Sequence, residues 1–520
     1  MAEREHRIGY SHVVHQVDPT KACAVRRGVA IRDEVYAPGV TDESIRVVGG
    51  RSVPVPIRPA RAFCGRRASS GDARPDNRLA LLDQAFYEGH RVAGQTEVMQ
   101  VMWLYERTID LDAVRQLHHR LGYSLFGRRI ERSPLPFGRH RWVLDRGSSD
   151  IDIATRARPR AELGDWLDER SQLAVDPESG PGWHFGVLPL TDGSTAVTLV
   201  MSHYVLDGVG GVIEVTKALM GVTSDLGYPP PRSRTRLRAV AEDAGQTIRA
   251  APGVARALVA GTRMARRDRD LISSSPRSRA VALRREDAGD LIVVPGITIY
   301  IDLDEWDARA KALGGTSSTL AAGFTAKLGE RTGFRHEGDG AVTVEVLVNN
   351  RTEGDTRALA VTSVRVNIDP TLVTTDLSDA RVAIKQALTT LRETPDNSSL
   401  LAAMTPFTTK RTWKRLVDTA NTDPDHPVVC SNLGDIGPTT RLDGTDCDYP
   451  YARGTRQRVT RQWLERTGGQ LQLLSLRAPG TRKVSITVLA YQPGAENTRP
   501  ALRELAARTL AEFGLTGEID

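Results

Sequence analysis

Apolar positions along this chain change spacing repeatedly, and the changes mark its elements. Residues 98–105 (VMQVMWLY) are almost continuously apolar, which predicts a buried strand. Asp110 then stands as an N-cap before Leu111, Val114, Leu117 and Leu121, one stripe of a helix. Ahead of these, residues 79–89 (LALLDQAFYEG) predict a short helix or docked segment. Residues 142–144 read as a strand and 163–173 as a helix. Two apolar runs, 183–190 and 196–201, flank Thr191-Asp192-Gly193-Ser194, a strand–turn–strand pattern. The second run delivers His203 at its end. Asp207 follows, then a glycine-rich turn at 208–211 and a helix over 212–220.

The texture then shifts. PPPRSRTR (229–236) is a linker signal; 239–269 is Ala- and Arg-rich with helical propensity, and SSSPRSR (273–279) ends it. Within that helix, 254–267 is basic and mildly amphipathic, suited to bridging two lobes or to touching an anionic membrane surface. Beyond it, strands are expected at 297–303, 342–348, 361–368, 427–430, 471–476 and 484–491. Helices are expected at 306–313, 319–328, 377–392, 400–417 and 501–513. No short-period repeat is present. Both halves mix strands with helices, so the expected fold class is α/β (α+β) in two lobes of similar size. The expected division is a flexible arm at 1–75, a first lobe at 76–225, a linker with a basic helix at 226–290, and a second lobe at 291–520. The arm is poorly patterned and also fits an extension upstream of the folded chain.

Composition narrows the function classes. The 520 residues carry 70 Lys+Arg against 64 Asp+Glu, a net charge of +6. No dense basic tract is interleaved with aromatics, which argues against nucleic-acid binding. The four cysteines, Cys23, Cys64, Cys430 and Cys447, form no C-x-x-C pair. That argues against a zinc site and a disulfide framework and fits a reducing cytosol. No apolar run is long enough to span a bilayer, so a cytoplasmic protein, at most peripheral at the membrane, is expected.

The common catalytic signatures, G-x-S-x-G, Walker A, H-E-x-x-H and a strand-linked G-x-G-x-x-G, are absent. What remains is an ionisable His leaving a buried strand with an acid four residues on. That arrangement suits a positioned general base; it also describes a strand-end His beside an Asp-Gly turn. His118-His119 lack a nearby acid or ligand spacing and read as a solvated helix face.

His203-Tyr204-Val205-Leu206-Asp207-Gly208 resembles the HxxxDG motif of the CoA-dependent acyltransferase superfamily. That group includes chloramphenicol acetyltransferase, condensation domains, wax ester synthase/diacylglycerol acyltransferases and polyketide-associated acyltransferases. Leu82-Asp83-Gln84-Ala85-Phe86 is similar to its opening segment, and Pro181-Gly182-Trp183 with the hairpin to the strands before the motif. Val348-Asn349-Asn350-Arg351 with Val366-Asn367, and Ser431-Asn432-Leu433-Gly434, resemble its later segments. There are departures. Ser202 stands where many members have a first His. Thr316-Ser317-Ser318-Thr319 replaces the Asn-Asp pair of wax ester synthase-like members, and Leu433-Gly434 their Val-Pro.

The resemblance implies two chloramphenicol acetyltransferase-like lobes with a substrate tunnel between them. It implies an O-acyltransferase of the wax ester synthase/diacylglycerol acyltransferase-like or polyketide-associated type. The acyl group would come from acyl-CoA or acyl-pantetheine as co-substrate, an acyl carrier protein being a further partner, and would go to an alcohol. No bound cofactor and no metal are implied. His203 would be the base, Asp207 would pair with Arg351, and Gly208 would let the backbone turn. Ser431 and Asn432 would contact the oxyanion or substrate, or else form a plain strand-end turn. A free-standing amide-forming condensation domain and a non-catalytic binding module are the competing readings.

Overall fold

The computed structural model describes residues 76–146, 150–272, 290–393, 402, 404–420 and 426–520. The expected arm at 1–75, the SSSPRSR stop and part of the 400–417 helix lie outside them. All described residues belong to one unit, Gly71–Asp520.

The first half runs α1 (Leu81–Ala93), β1 (Thr96–Tyr105), α2 (Leu111–Leu121), β2 (Arg128–Glu131), β3 (Arg141–Leu144), β4 (Asp152–Ile153), α3 (Leu163–Gln172), β5 (Trp183–Pro189), β6 (Thr195–Ser202) and α4 (Gly208–Leu219). Asp110 caps α2 as expected, accepting from the Asp112 and Ala113 N–H groups. β5 and β6 are buried along nearly their whole length, which is why they read as continuous apolar runs. The α2 stripe of Val114, Leu117 and Leu121 packs with Trp103, Trp183 and Leu199 on one face. Trp166 and Leu167 of α3 pack with Met102 and Leu188 in a second cluster. His118 corrects the solvated-face reading: it is half-buried, its ring 5.0 Å from Trp183 and 5.7 Å from Phe185.

α5 (Arg236–Ile272) follows the proline-rich stretch, with Pro252 inside it. The second half runs β7 (Gly296–Asp302), α6 (Leu303–Ala312), α7 (Ser317–Arg331), β8 (Val342–Asn349), β9 (Val361–Ile368), α8 (Ser378–Glu393), α9 (Lys410–Ala420), β10 (Val428–Asp435), β11 (Tyr449–Gln457), α10 (Arg461–Thr467), β12 (Gln470–Ala478), β13 (Lys483–Tyr491), α11 (Arg499–Glu512) and β14 (Glu518–Ile519). Of the helix expected over 400–417, Ala402 is helical and a continuous helix runs over Lys410–Ala420. A short 3-10 turn around Pro406 precedes it, because proline offers no N–H to an α-helical interior.

The sheets are ordered β11-β1-β6-β5-β4 and β14-β7-β13-β12-β10-β8-β9, with a separate β2-β3 ribbon. β11 comes from the second half yet pairs with β1 over its full length, from Thr96↔Gln457 to Leu104↔Tyr449. Its sequence, YPYARGTRQ, shows no strand periodicity because its polar groups are buried and matched. Arg453 donates to Gln100 Oε1 at 2.8 Å and to Asp168 Oδ1 at 2.7 Å. The second sheet is mixed, with β10 parallel to both β8 and β12. Its core gathers Ile299, Phe324, Leu328, Leu473 and Phe513. No helix among the described residues is long and apolar enough to cross a membrane.

Candidate active site

β6 ends at Ser202, and His203 begins the turn that leads to α4. The β1–β6 ladder reaches Val98↔Ser202, so Glu97 and His203 are the next opposed pair. The His203 N–H donates to the Glu97 carbonyl at 3.0 Å. Directly opposed residues share a face, with Cβ atoms about 5 Å apart. The imidazole is half-buried, with the Phe86 ring of α1 centred 5.6 Å away. Its Nδ1 is buried and has no partner among the described residues.

Around the His203 turn lies a polar network that the sequence reading missed. Glu97 Oε1 meets His90 Nε2 at 3.0 Å and Arg456 Nε of β11 at 2.8 Å. Burial alone would raise the Glu97 carboxyl. The charges of His90 and Arg456, with a smaller contribution from His203, overcome burial and hold it well below the usual range. His90 is raised in turn: burial works against its charge, but Glu97 outweighs it. The Tyr204 hydroxyl accepts the Glu97 N–H at 3.0 Å. Nothing in a single strand's pattern marks Glu97; it becomes legible only through the β1–β6 register.

Asp207 is the N-cap of α4 and is 1% exposed. Its Oδ1 accepts the Gly210 N–H at 2.7 Å. Its Oδ2 accepts both Arg351 Nη2 and the Ala360 N–H, each at 2.7 Å. Arg351 also donates to the carbonyls of Arg357 at 3.0 Å and Ala358 at 3.1 Å. Two further first-half residues grip the same β8–β9 loop. Asp83 accepts the Ala358 and Leu359 N–H groups at 2.8 and 3.0 Å. Arg128, stacked 3.9 Å over the Trp142 ring, donates to Thr356 O at 2.5 Å and Val205 O at 2.8 Å. Asp83 was detectable as an acid inside an apolar run; Arg128 carried no signal.

The glycines do a different job from the one expected. Gly208, Gly210 and Gly211 form the first turn of α4, and none has a left-handed backbone. They are glycine for closeness. A Cβ on Gly208 would stand 2.8 Å from Leu433 Cδ2. One on Gly210 would stand 2.6 Å from Leu206 Cδ1 and 3.1 Å from Arg351 Cζ.

Ser431 and Asn432 lie inside β10, opposite Leu474 and Ser475 of β12, just before the register shifts. Asn432 Nδ2 donates to Ser318 Oγ at 3.0 Å, and its Oδ1 accepts the Gly434 N–H at 2.8 Å. The side chain therefore ties the start of α7 to the bulge and keeps one amide hydrogen for another acceptor. The neighbouring Leu433 is the residue that reaches Gly208. Beside that contact lies an apolar pocket lined by Met99, Met201, Val212, Leu433 and Leu476. The opposite face of α4, with Gly210, Glu214 and Lys217, borders a polar cavity of about 420 Å³ that Arg351 and Asp355 also line. Among the described residues no His/Cys/Asp/Glu group is arranged to hold a metal ion.

No family model and no curated protein sequence matches the chain. Solved structures do. The first condensation domain of the CDA synthetase is similar at a TM-score of 0.51 and 14% identity, covering 85% of this chain and 99% of that one. The TRI3 trichothecene 15-O-acetyltransferase from Fusarium sporotrichioides is similar at 0.51 and 12%, covering 84% and 94%. The fold is the one that this condensation domain and this O-acetyltransferase share.

Proposed function

We propose that this chain, built on the fold that this condensation domain and this O-acetyltransferase share, transfers an acyl group from a thioester to a hydroxyl acceptor, with His203 as general base. The observation that carries this reading is the placement of His203. A half-buried imidazole stands at a strand end, on a turn anchored by the buried Asp207–Arg351 pair. The donor is an acyl-CoA or an acyl-pantetheine on a carrier protein.

In the proposed reaction the neutral imidazole takes the acceptor's proton as its oxygen attacks the thioester carbonyl. The tetrahedral oxyanion collapses, the C–S bond breaks, and the imidazolium returns the proton to the departing thiolate. The products are an ester and a free thiol. Holding donor and acceptor together supplies rate through proximity. Asn432, with one amide hydrogen left, and Ser431 are the donors proposed for the oxyanion. Asp207 and Arg351 keep the turn in place and take no proton.

The test is thiol release by purified protein offered acyl-CoA with long-chain alcohols, diacylglycerol and amines. Release with alcohols that His203→Ala abolishes is the expected result. Release that His203→Ala leaves unchanged refutes the mechanism. Release only with amines assigns an amide-forming condensation enzyme, and none with any donor, in folded protein, a binding module.

A further inference from the structure

We infer that the apolar pocket under the first turn of α4 holds an unbranched alkyl chain whose reacting end lies at His203, which rests on the reading of His203 as the base. Side chains alternate across a strand, so Met99, Val101 and Trp103 of β1 share one face of the sheet. Register sets Met201 and Leu199 of β6 opposite Met99 and Val101 on one side, and Gly454 and Ala452 of β11 opposite them on the other. All of these except Gly454 line the pocket. One more pair along the same face is Glu97 and His203, held by the His203 N–H bond to the Glu97 carbonyl at 3.0 Å. The row of apolar side chains therefore leads away from His203 into the pocket. Gly211 and Val212 of α4 border it, and Leu433 and Leu476 line it from the second half of the chain.

The far end is closed by Trp103, which is 1% exposed. Its Nε1 donates to the Thr439 carbonyl at 2.7 Å, and Thr439 Oγ1 donates to the Ile436 carbonyl at 2.8 Å. These hydrogens are spent on backbone, so the floor meets a ligand through van der Waals contact. Such a lining recognises a chain that gains by leaving water. From Met99 to Trp103 the strand advances about 13 Å. A zigzag of C–C bonds of about 1.5 Å covers that distance with about ten carbons. Two methionine methyls stand at the His203 end, under the glycines of α4. A Cβ on Gly208 would lie 3.2 Å from Met99 Cε, and one on Gly211 2.9 Å from Met201 Cε. Methionine side chains are flexible, so these two can turn aside for a chain. The chain belongs either to the acyl donor or to the alcohol acceptor.

Methyl spectra of the full-length His203→Gln protein test this without turnover. With 13C-methyl methionine, Met99→Leu and Met201→Leu assign two signals among the seven methionines. The probes are decanoyl-pantetheine, acetyl-pantetheine, 1-decanol and ethanol. Both signals are expected to shift with a ten-carbon probe and not with its two-carbon counterpart. A shift with decanoyl-pantetheine assigns the chain to the donor, and one with 1-decanol to the acceptor. No shift with either long probe, or equal shifts with long and short ones, overturns the proposal. Gly211→Ala then checks the width, at a helical position where alanine is tolerated. Its Cβ pushes Met201 Cε into the pocket, so affinity for the effective long probe is expected to fall about tenfold. Adding Met201→Ala is expected to restore it. Unchanged long-chain affinity in folded Gly211→Ala also overturns the proposal; if that variant does not fold, the methyl shifts decide. Binding is read without catalysis, so a failed thiol-release assay and an empty pocket are separate results.

Discussion

Asp207 and Arg351, 144 positions apart, meet at 2.7 Å with side chains only 1% and 3% exposed. A buried pair of this kind is held by bonds from every side, and removing one partner strands the other in a low-dielectric site. Arg351→Met is expected to lower unfolding free energy by about 3–5 kcal/mol. Asp207→Ala is expected to cost more, since Asp207 also accepts the Gly210 and Ala360 N–H groups. Urea unfolding of both singles and the double variant checks this; additive losses would mean the two residues are not coupled.

The glycines of α4 offer a contest between two effects. Helix propensity favours alanine over glycine by about 0.5–1 kcal/mol. Overpacking costs about 1–3 kcal/mol. At Gly210 a Cβ would meet Leu206 Cδ1 at 2.6 Å and Cγ at 2.9 Å, with Arg351 Cζ, pinned by its own bonds, at 3.1 Å, so Gly210→Ala is expected to destabilise. At Gly208 the neighbour is the end of the Leu433 side chain. Gly208→Ala is therefore expected to be milder and to be relieved by Leu433→Ala, as thermal denaturation of the double variant will read.

Asp83 joins α1 to the β8–β9 loop by accepting two backbone N–H groups. Burial pushes its carboxyl up, while those two bonds pull it back. Asp83→Asn leaves one carbonyl oxygen to serve both donors. The expected loss is about 1–3 kcal/mol, the cost of a buried donor left unpaired. Amide exchange at Ala358 and Leu359 is expected to speed up; unchanged protection there would refute the clamp.

His184 carries a pH dependence of its own. Its pKa is lowered from 6.5 to about 4, first by burial and then by Arg170, whose Nη2 lies 2.9 Å from its Nδ1. The unfolded chain takes up this proton near pH 6.5, but the folded one holds off until about pH 4. Stability therefore falls as pH drops through that window. At about 1.4 kcal/mol for each pH decade, the full loss is about 3 kcal/mol. Thermal midpoints measured from pH 7 to 4.5 should fall less steeply in His184→Gln. Equal slopes in both proteins would exclude His184 as the cause.

The sequence by itself determined where the apolar elements run. β5, β6, β8 and β13 were all legible, β5 and β6 because a strand buried along nearly its whole length reads as an almost continuous apolar run, β8 and β13 because their apolar residues recur at every second position. It also singled out His203 and Asp207 and, by resemblance, pointed to Arg351 as a partner. It did not show β11, since Arg453, Arg456 and Gln457 look like loop residues until their partners are known. It misjudged why Gly208, Gly210 and Gly211 are glycines, because closeness to Leu433, Leu206, Arg351 and Met201 is a property of packing. Local pattern reports what a residue needs from its nearest neighbours in the chain. Which distant groups meet is decided by strand order and register. Those brought β11 beside β1, set Glu97 across from His203, and carried the β8–β9 loop to Asp83, Arg128 and Asp207.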